Sequence, residues 1–362
     1  MGLLLARRQS HALHSLSKEG QYHVSVRKVD KGGFGVLQYA EERTLSMTSR
    51  GDITFTIAIP TYNNESTVGG AISSSLAQDY QGHYEVLVVN NCSTDGTLAV
   101  INRWADEQRL RVVSNEATVS LYENHNICLG EARGRYVLFC HSDDTLDPSA
   151  LNILHRKIES RGFPDRYILW GHSLYADFYR NICSAGFNTG QLFCGIEAVK
   201  PFFSNGLTAS GTCYSKSFSE LGGFLLTDQT ASPADASTMV LAALRGYRFE
   251  MLQDILFVRE GASTGISGRP WEEWKPQYED AFSKLFARIS QSEFNKLLKV
   301  AEDLKHTPWL FYYAASAVEP ERVAKRVFRS LLRRPFVLRR KNVRSCAWGV
   351  FGNYFRRGGV RA

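Results

Sequence analysis

Between residues 53 and 160 short apolar runs alternate with amphipathic stretches of helical period. Residues 53–60 form an apolar, β-prone run, and Ser66 or Thr67 can cap a helix reaching about residue 78. Residues 84–89 (Tyr-Glu-Val-Leu-Val-Val) predict a second strand, and the polar loop 90–96 leads into a helix to about residue 108. A third strand is predicted at 110–113, a helix at 119–132, and a fourth strand at 136–140. A helix follows at 149–160, behind the turn signal Asp147-Pro148. This β-α alternation predicts an α/β fold with a mostly parallel sheet flanked by helices. Three polar loops leave carboxyl ends of strands: 60–65, 90–96 and 141–144. In an open parallel sheet those ends line one edge, so the three loops are expected to share one crevice.

Beyond residue 165 the pattern is mixed. Strands are expected at 167–170, 175–179 and 256–258, a turn at Gly222-Gly223-Phe224, and an amphipathic helix at 234–244. The chain is helical from Trp271 onward. Residues 1–50 read as an N-terminal extension, with strands at 22–26 and 34–39 forming a β-hairpin around Gly32-Gly33. Gly33-Phe34-Gly35 lacks the third glycine and following helix of a dinucleotide loop.

Composition adds three points. The seven cysteines form no C-x-x-C pair, which suits reduced thiols in a cytoplasmic protein. The apolar stretch Leu3-Leu4-Leu5-Ala6 is too short for a signal-peptide core, and no run suits a membrane-spanning helix. The net charge of +7 is unevenly spread: residues 322–362 hold 13 Lys or Arg and no acid, leaving 30 basic against 36 acidic residues elsewhere. Within 322–334 the apolar residues Val323, Val327, Phe328, Leu331 and Leu332 fall on one helical stripe, and Pro335 ends it. A basic amphipathic tail of this kind suits an anionic membrane surface. Nucleic acid is the less favoured partner, because apolar and aromatic residues are interleaved with the cations.

Asp143 and Asp144 follow an apolar strand and can hold Mg²⁺ or Mn²⁺, a hard ion that fills its shell with phosphate oxygens. The plainer reading is a turn leading to a helix capped by Asp147 with Pro148 at its start. The series Ile57-Ala58-Ile59-Pro60-Thr61-Tyr62-Asn63, Val88-Val89-Asn90-Asn91-Cys92-Ser93-Thr94-Asp95-Gly96-Thr97, Gly134-Arg135-Tyr136-Val137-Leu138-Phe139 and Ser142-Asp143-Asp144 decides between them. Together with Glu220-Leu221-Gly222-Gly223-Phe224 and Gly246-Tyr247-Arg248-Phe249 it resembles the family 2, GT-A-fold glycosyltransferases over residues 53–265.

The resemblance implies a nucleotide-sugar site built from Pro60, Thr61, Tyr62, Asn90, Asn91, Ser142, Asp143 and Asp144, with Asp143 as the metal ligand. Asn91 stands where many members carry an Asp against uracil, and an amide both donates and accepts. His141 replaces the first Asp of the family's D-x-D. Asn126 keeps the Asn of an Arg-Asn pair, in which His125 replaces Arg. Asp235, 92 residues beyond Asp143, keeps the place of the general base, although Ala234 replaces the usual Glu. On its own, Asp235 also reads as an ordinary first-turn helix residue. Arg248 and Arg259 are expected near the donor phosphates, with surface salt bridges as the alternative. His83, His141, His155 and His172 show no metal-ligand spacing and are expected to be structural.

The expected organisation is therefore an N-terminal extension (1–50), a GT-A-like domain (51–265), a helical extension (266–320) and a basic amphipathic tail (321–362). The expected activity is inverting, metal-assisted transfer of one sugar from a UDP- or dTDP-type nucleoside-diphosphate sugar to a hydroxyl of a glycan or lipid-linked acceptor. The expected location is cytoplasmic, peripheral on the inner membrane face. Two other readings are a catalytically inert nucleotide-sugar binding module and a nucleic-acid-binding protein acting through the tail.

Overall fold

Strands β1 (Phe55–Thr61) and β2 (Tyr84–Asn90) are buried along their whole length. Successive side chains of a strand point to opposite faces, and here each face has its own core. Ile57, Ile59, Val86 and Val88 enter one core, and Ala58, Leu87 and Val89 the other. The computed structural model describes residues 53–175, 178–180, 189–203, 207, 209–226, 234–259, 271–303, 308–333 and 335–358. The hairpin expected at 22–39, Cys183 and the segment 260–261 lie outside them.

The first half runs β1, α1 (Val68–Leu76), β2, α2 (Thr97–Ile101), β3 (Leu110–Ser114), α3 (Leu121–Glu131), β4 (Tyr136–Phe139), β5 (Asp144–Leu146) and α4 (Ala150–Ser160). The helix expected to reach residue 108 is shorter, because after Ile101 the chain tightens into a 3₁₀ turn over Asn102–Trp104. The second half runs β6 (Tyr167–Tyr175), β7 (Phe178–Arg180), β8 (Leu192–Cys194), α5 (Gly195–Phe202), β9 (Thr212–Ser215), α6 (Ser217–Glu220), α7 (Ala234–Leu244) and β10 (Arg248–Arg259). Among the described residues five α-helices follow: α8 (Trp271–Phe286), α9 (Gln291–Asp303), α10 (Trp309–Ala315), α11 (Pro320–Arg333) and α12 (Lys341–Gly358).

The sheet order is β3-β2-β1-β4-β9-β6-β10-β5, with β7 beside β6 and β8 beside β10. Pairing is parallel from β3 to β4 and between β6 and β10; the remaining pairs are antiparallel. The sheet is thus mixed, its parallel part confined to the half where strands and helices alternate. Two strands expected at 167–170 and 175–179 begin with one continuous β6. Gly171 lies inside it, where an added Cβ would sit 2.5 Å from the Asp254 carbonyl at the irregularity of β10. The glycine thus marks a close approach, not a break.

The order of the first four strands fixes where a ligand can bind. From β1 the chain builds outward to β3, then returns to place β4 on the other side of β1. Right-handed crossovers put the helices of the two directions on opposite faces. Accordingly α1 and α2 contribute Val68, Ala71, Ile72 and Ile101 to one core, and α3 contributes Cys128 and Leu129 to the other. The carboxyl ends of β1 and β4 are therefore a topological switch point, where crevices form in such sheets.

Pro60 sits where the pairing of β1 with β4 ends. The Ala58 carbonyl accepts from Cys140 N at 3.0 Å, and residue 60 would supply the next donor toward β4. Proline has none, and the β1–β4 register ends at Ala58↔Phe139. On the other side β1 stays paired with β2 through Thr61↔Asn90.

Gly134 sets the entry to β4. An added Cβ would lie 2.4 Å from Thr56 N and 2.5 Å from the Phe55 carbonyl carbon, both main-chain atoms of β1. Gly134→Ala is expected to lower stability by about 1–3 kcal/mol through overpacking, read as a lower urea midpoint with unchanged m-value.

The C-terminal helices share the core of the α3 face, to which Phe282, Leu297, Phe311, Val323 and Val327 contribute. The expected apolar stripe of α11 therefore divides. Val323 and Val327 are buried against the body, while Phe328 and Leu332 are more than half exposed. The basic face divides too: Arg326 pairs with Glu302 at 2.6 Å and donates to the Leu298 carbonyl, and Arg322 reaches Asn295. Phe336, Trp348 and Phe355 are also exposed. Among the described residues no helix is long and apolar enough to cross a membrane.

Candidate functional site

Side-chain hydrogen bonds tie the loops after β1, β2 and β4 together. Asn63 Oδ1 accepts from Thr94 N at 2.8 Å, and Asn63 N donates to Ser93 Oγ at 3.0 Å. Glu65 Oε2 accepts from Gly96 N at 2.7 Å, and Asp95 Oδ2 from Glu65 N at 3.2 Å. Ser142 Oγ then donates to Asn64 Oδ1 at 2.7 Å, bridging the β1 and β4 loops across the switch point. Asn63 holds a left-handed φ of 51°, a conformation Asn tolerates better than most residues. These bonds supply the partners that backbone leaving a sheet edge would otherwise lack.

Of the residues expected at the nucleotide site, Tyr62 stands exposed, while Thr61, Asn90, Asn91 and Ser142 are buried. Asn91 is committed to its own loop. Its Nδ2 donates to the Val119 carbonyl, and its Oδ1 accepts from Val119 N and Asn115 Nδ2, all at 2.9 Å. Both acceptor lone pairs are used, leaving one N–H for anything else. The amide expected to donate and accept toward a base is thus restricted to donating. Asn90 Oδ1 accepts from Ser93 N at 3.2 Å.

A ring nitrogen of His141 and carboxylate oxygens of Asp143 and Asp144 lie within 4.8 Å of one another. Two hard oxygen donors and one imidazole are a donor set suited to a divalent ion such as Mn²⁺. His141, expected to be structural, thus stands beside the two acids in a group that could hold such an ion. Its spacing to the acids is one and two residues beyond an intervening Ser, which brings side chains together in a turn though not on a helix. Asp144 is buried and opens β5. His155, by contrast, is structural, with Nδ1 3.0 Å from the Tyr80 hydroxyl.

Behind His141 lies His125, 2% exposed, with Nε2 to Nε2 at 3.1 Å. Burial, and then the neighbouring imidazole, lower the His125 pKa to about 3, so its ring is neutral. The sequence gives no sign of this pair, since a histidine in mid-helix reads alike whether buried or solvated. His141 N also donates to Ser210 Oγ at 3.1 Å, placing the segment before β9 against the same loop.

Asp235 lies in the first turn of α7. Desolvation raises its pKa to about 6, outweighing a 2.8 Å hydrogen bond from Ala236 N. Tyr122 of α3 and Tyr278 of α8 both lie close enough to feel the Asp235 carboxylate. Tyr122 in turn packs on His125, ring centroids 5.9 Å apart. Two side chains, Tyr122 and His125, thus connect Asp235 to the His141 loop. Asn126, which keeps the Asn of the family's Arg-Asn pair, clamps the Gly-Gly-Phe turn: Nδ2 donates to the Phe224 carbonyl at 2.8 Å and Oδ1 accepts from Phe224 N at 2.7 Å.

Arg248 is on the wrong edge. β10 runs parallel to β6, and β6 and β4 both run antiparallel to β9, so β10 starts at the edge opposite the crevice. At about 3.3 Å per strand residue, Arg248 lies ~35 Å from the other end. There Arg259 pairs in register with Asp144.

The sequence profile of Glycosyl transferase family 2 matches residues 56–163, the segment that carries all three loops. This segment is a family 2 glycosyltransferase domain. Over 99 residues the chain is 33% identical to the poly(ribitol-phosphate) β-N-acetylglucosaminyltransferase TarS of Staphylococcus aureus, covering 27% of this chain and 17% of TarS. Over 93 residues it is 34% identical to the Escherichia coli UDP-Glc:α-D-GlcNAc-diphosphoundecaprenol β-1,3-glucosyltransferase WfgD, covering 26% and 36%. The chain thus spans well under two thirds of either relative. The structure of S. aureus TarS 1–349 with UDP-GlcNAc matches at a TM-score of 0.59 and 19% identity, covering 84% of this chain and 92% of that one. At that identity the likeness is one of fold. It extends the transferase domain's GT-A-like architecture well past residue 163.

Proposed function

We propose that this chain is an inverting glycosyltransferase that moves one sugar from a nucleoside-diphosphate sugar, UDP-type by preference, to a hydroxyl of a glycan or lipid-linked acceptor. The observation that carries this reading is the Ser142–Asn64 bridge, which draws the nucleotide loops and the His141/Asp143/Asp144 cluster into one crevice. Pro60, Thr61 and Tyr62 line the nucleoside side, with Asn90 and Asn91 holding the loop behind it. Asp143, with Asp144 and His141, holds Mg²⁺ or Mn²⁺, which when bound offsets the charge of the departing diphosphate. Asp235 takes the proton of the acceptor hydroxyl as its oxygen attacks the anomeric carbon. UDP-GlcNAc in the TarS structure and the diphosphoundecaprenol acceptor in the name of WfgD support the donor and acceptor classes. The test is a panel of nucleotide sugars with Mn²⁺, scored by thermal shift and then by release of nucleotide. Binding without hydrolysis or transfer to any acceptor would mark an inert binding module.

The tail supports a peripheral place on an anionic membrane. Phe328, Leu332, Phe336 and Trp348 are exposed among arginines that have no acidic neighbours in sequence. Each cation near such a surface contributes about 1 kcal/mol, and each large apolar side chain buried adds about 1.5–3 kcal/mol. Because Val323 and Val327 are core residues, truncation before α11 would uncover the body. Substitution of the four exposed residues by Ser is the cleaner test. The variant should fold normally yet float with anionic vesicles at least about tenfold less, whereas equal flotation would remove the tail as the anchor.

A further inference from the structure

Strand β10 departs from regular pairing in its middle. Between Met251↔Trp170 and Ile255↔His172 it advances four residues while β6 advances two. Gly171 of β6 admits the excess, since an added Cβ there would meet the Asp254 carbonyl at 2.5 Å. A regular strand would send Gln253 to the face opposite Leu252 and Asp254. Irregularities of this kind re-aim side chains, and here all three residues line one groove of about 450 Å³ beside α4. Its walls are held from behind. Glu250, fully buried, accepts from Lys157 Nζ at 2.7 Å, Arg161 Nη2 at 2.9 Å and the Tyr167 hydroxyl at 2.6 Å. Gln253 Nε2 donates to Thr189 Oγ1 at 3.2 Å, and Gly190 N to the Met251 carbonyl at 2.7 Å.

We propose that this groove is an accessory site for a neutral saccharide, remote from the catalytic crevice. Its charges cancel: Glu250 offsets Lys157, and Arg156 and Asp254 stand in the same lining, so an anion gains little there. Donors remain on Arg156 and Lys157, and acceptors on Asp254, on Gln253 Oε1 and on Ser160 Oγ, which donates its own proton to the Lys157 carbonyl. A hydroxyl both donates and accepts, so a ligand rich in hydroxyls satisfies this mixture. Ile153 and Leu252 offer apolar surface to the C–H groups of a sugar ring. The volume falls in the range of small-molecule sites. Arg259 is in register with Asp144, and Gln253 lies six residues earlier in the strand, about 20 Å away at 3.3 Å per residue. The groove also lies on the α4 face, where Leu154 and Ile158 share a core with Leu252, whereas α3 and α7 cover the other face. A glycan seated here would keep the enzyme on its acceptor chain. That role rests on the transferase reading; binding to the groove does not.

The test uses the full chain without nucleotide or Mn²⁺, labelled with ¹³C on the isoleucine δ1 methyls. Ile153→Val assigns the Ile153 signal, which reports on the groove. The probes are oligosaccharides of glucose, galactose and N-acetylglucosamine at millimolar concentration, with inorganic phosphate for comparison. At least one neutral oligosaccharide should shift the Ile153 methyl in a saturable way. Combining Arg156→Ala with Gln253→Ala removes two hydrogen-bonding partners and should weaken that binding at least about tenfold. The melting temperature and the Mn²⁺-dependent affinity for UDP should stay unchanged in the double variant. Three results would overturn the site: no neutral oligosaccharide moves the Ile153 methyl, phosphate alone moves it, or the double variant binds as well as the native chain. A chain that bound saccharide in the groove yet released no nucleotide from any donor would lose the transferase reading and keep this one.

Discussion

Asp235→Asn is expected to keep donor binding and lose transfer by about 10²–10⁴-fold, the usual contribution of a general base. The amide is nearly isosteric, and its oxygen can still accept from Ala236 N, which bonds the carboxylate at 2.8 Å. What it cannot do is take a proton. The pH dependence gives a second readout. Because the carboxyl is raised to about 6, it is protonated below that value, so kcat/KM of the native enzyme should rise with pH along a limb centred near 6. Stability should move the opposite way. A folded pKa above the unfolded one means that ionisation costs folding energy as pH rises from about 4 through 6. The Asn variant should then be at least as stable as the native chain at pH 8. Near-normal turnover of the variant on its acceptor, or an unshifted acidic limb, would place the base elsewhere.

The second large effect is expected from Asp143→Ala. The hydrogen bond that joins this loop to the β1 loop runs through Ser142 and Asn64, so the carboxylate can be removed without releasing the bridge. Mn²⁺-dependent UDP affinity, measured by calorimetry, should fall by at least about 10²-fold, since losing a direct ligand costs more than losing an outer partner. Metal-independent UDP binding and the melting temperature should change little. Unchanged Mn²⁺-dependent affinity would remove Asp143 from the ion site.

The parts of the fold read correctly from sequence are those whose signal is local. Runs such as Tyr-Glu-Val-Leu-Val-Val mark β2 without help from the rest of the chain, and the helix expected at 234–244 is α7. The short strands β5, β8 and β9 span three or four residues. They exist because of their partners, so no period could reveal them. Strand direction is likewise non-local. Arg248 reads as a neighbour of the phosphates until β9 is known to reverse the chain between β4 and β6. In the site, the acids were legible because their spacing falls within a recognisable series. The polar side chains that support them were not. Asn91, Asn126 and His125 act by bonding backbone or rings from other elements, and residue type alone cannot distinguish such a buried partner from a solvated one.

The Asn126 clamp has a bearing on how this enzyme could be recombined. Helix α3 carries Tyr122 toward Asp235, His125 toward the His141 loop and Asn126 onto the Gly223-Phe224 turn. The two halves of the crevice are thus indexed to one helix, though they lie far apart in the chain. Gly223 leaves no slack, since an added Cβ there would sit 2.2 Å from Asn126 Oδ1. A chimera joined near residue 163, where the family profile ends, would separate α3 from the turn that Asn126 is fitted to. A graft of the Gly222-Gly223-Phe224 turn is expected to need α3 with it, so that Asn126 stays on the turn.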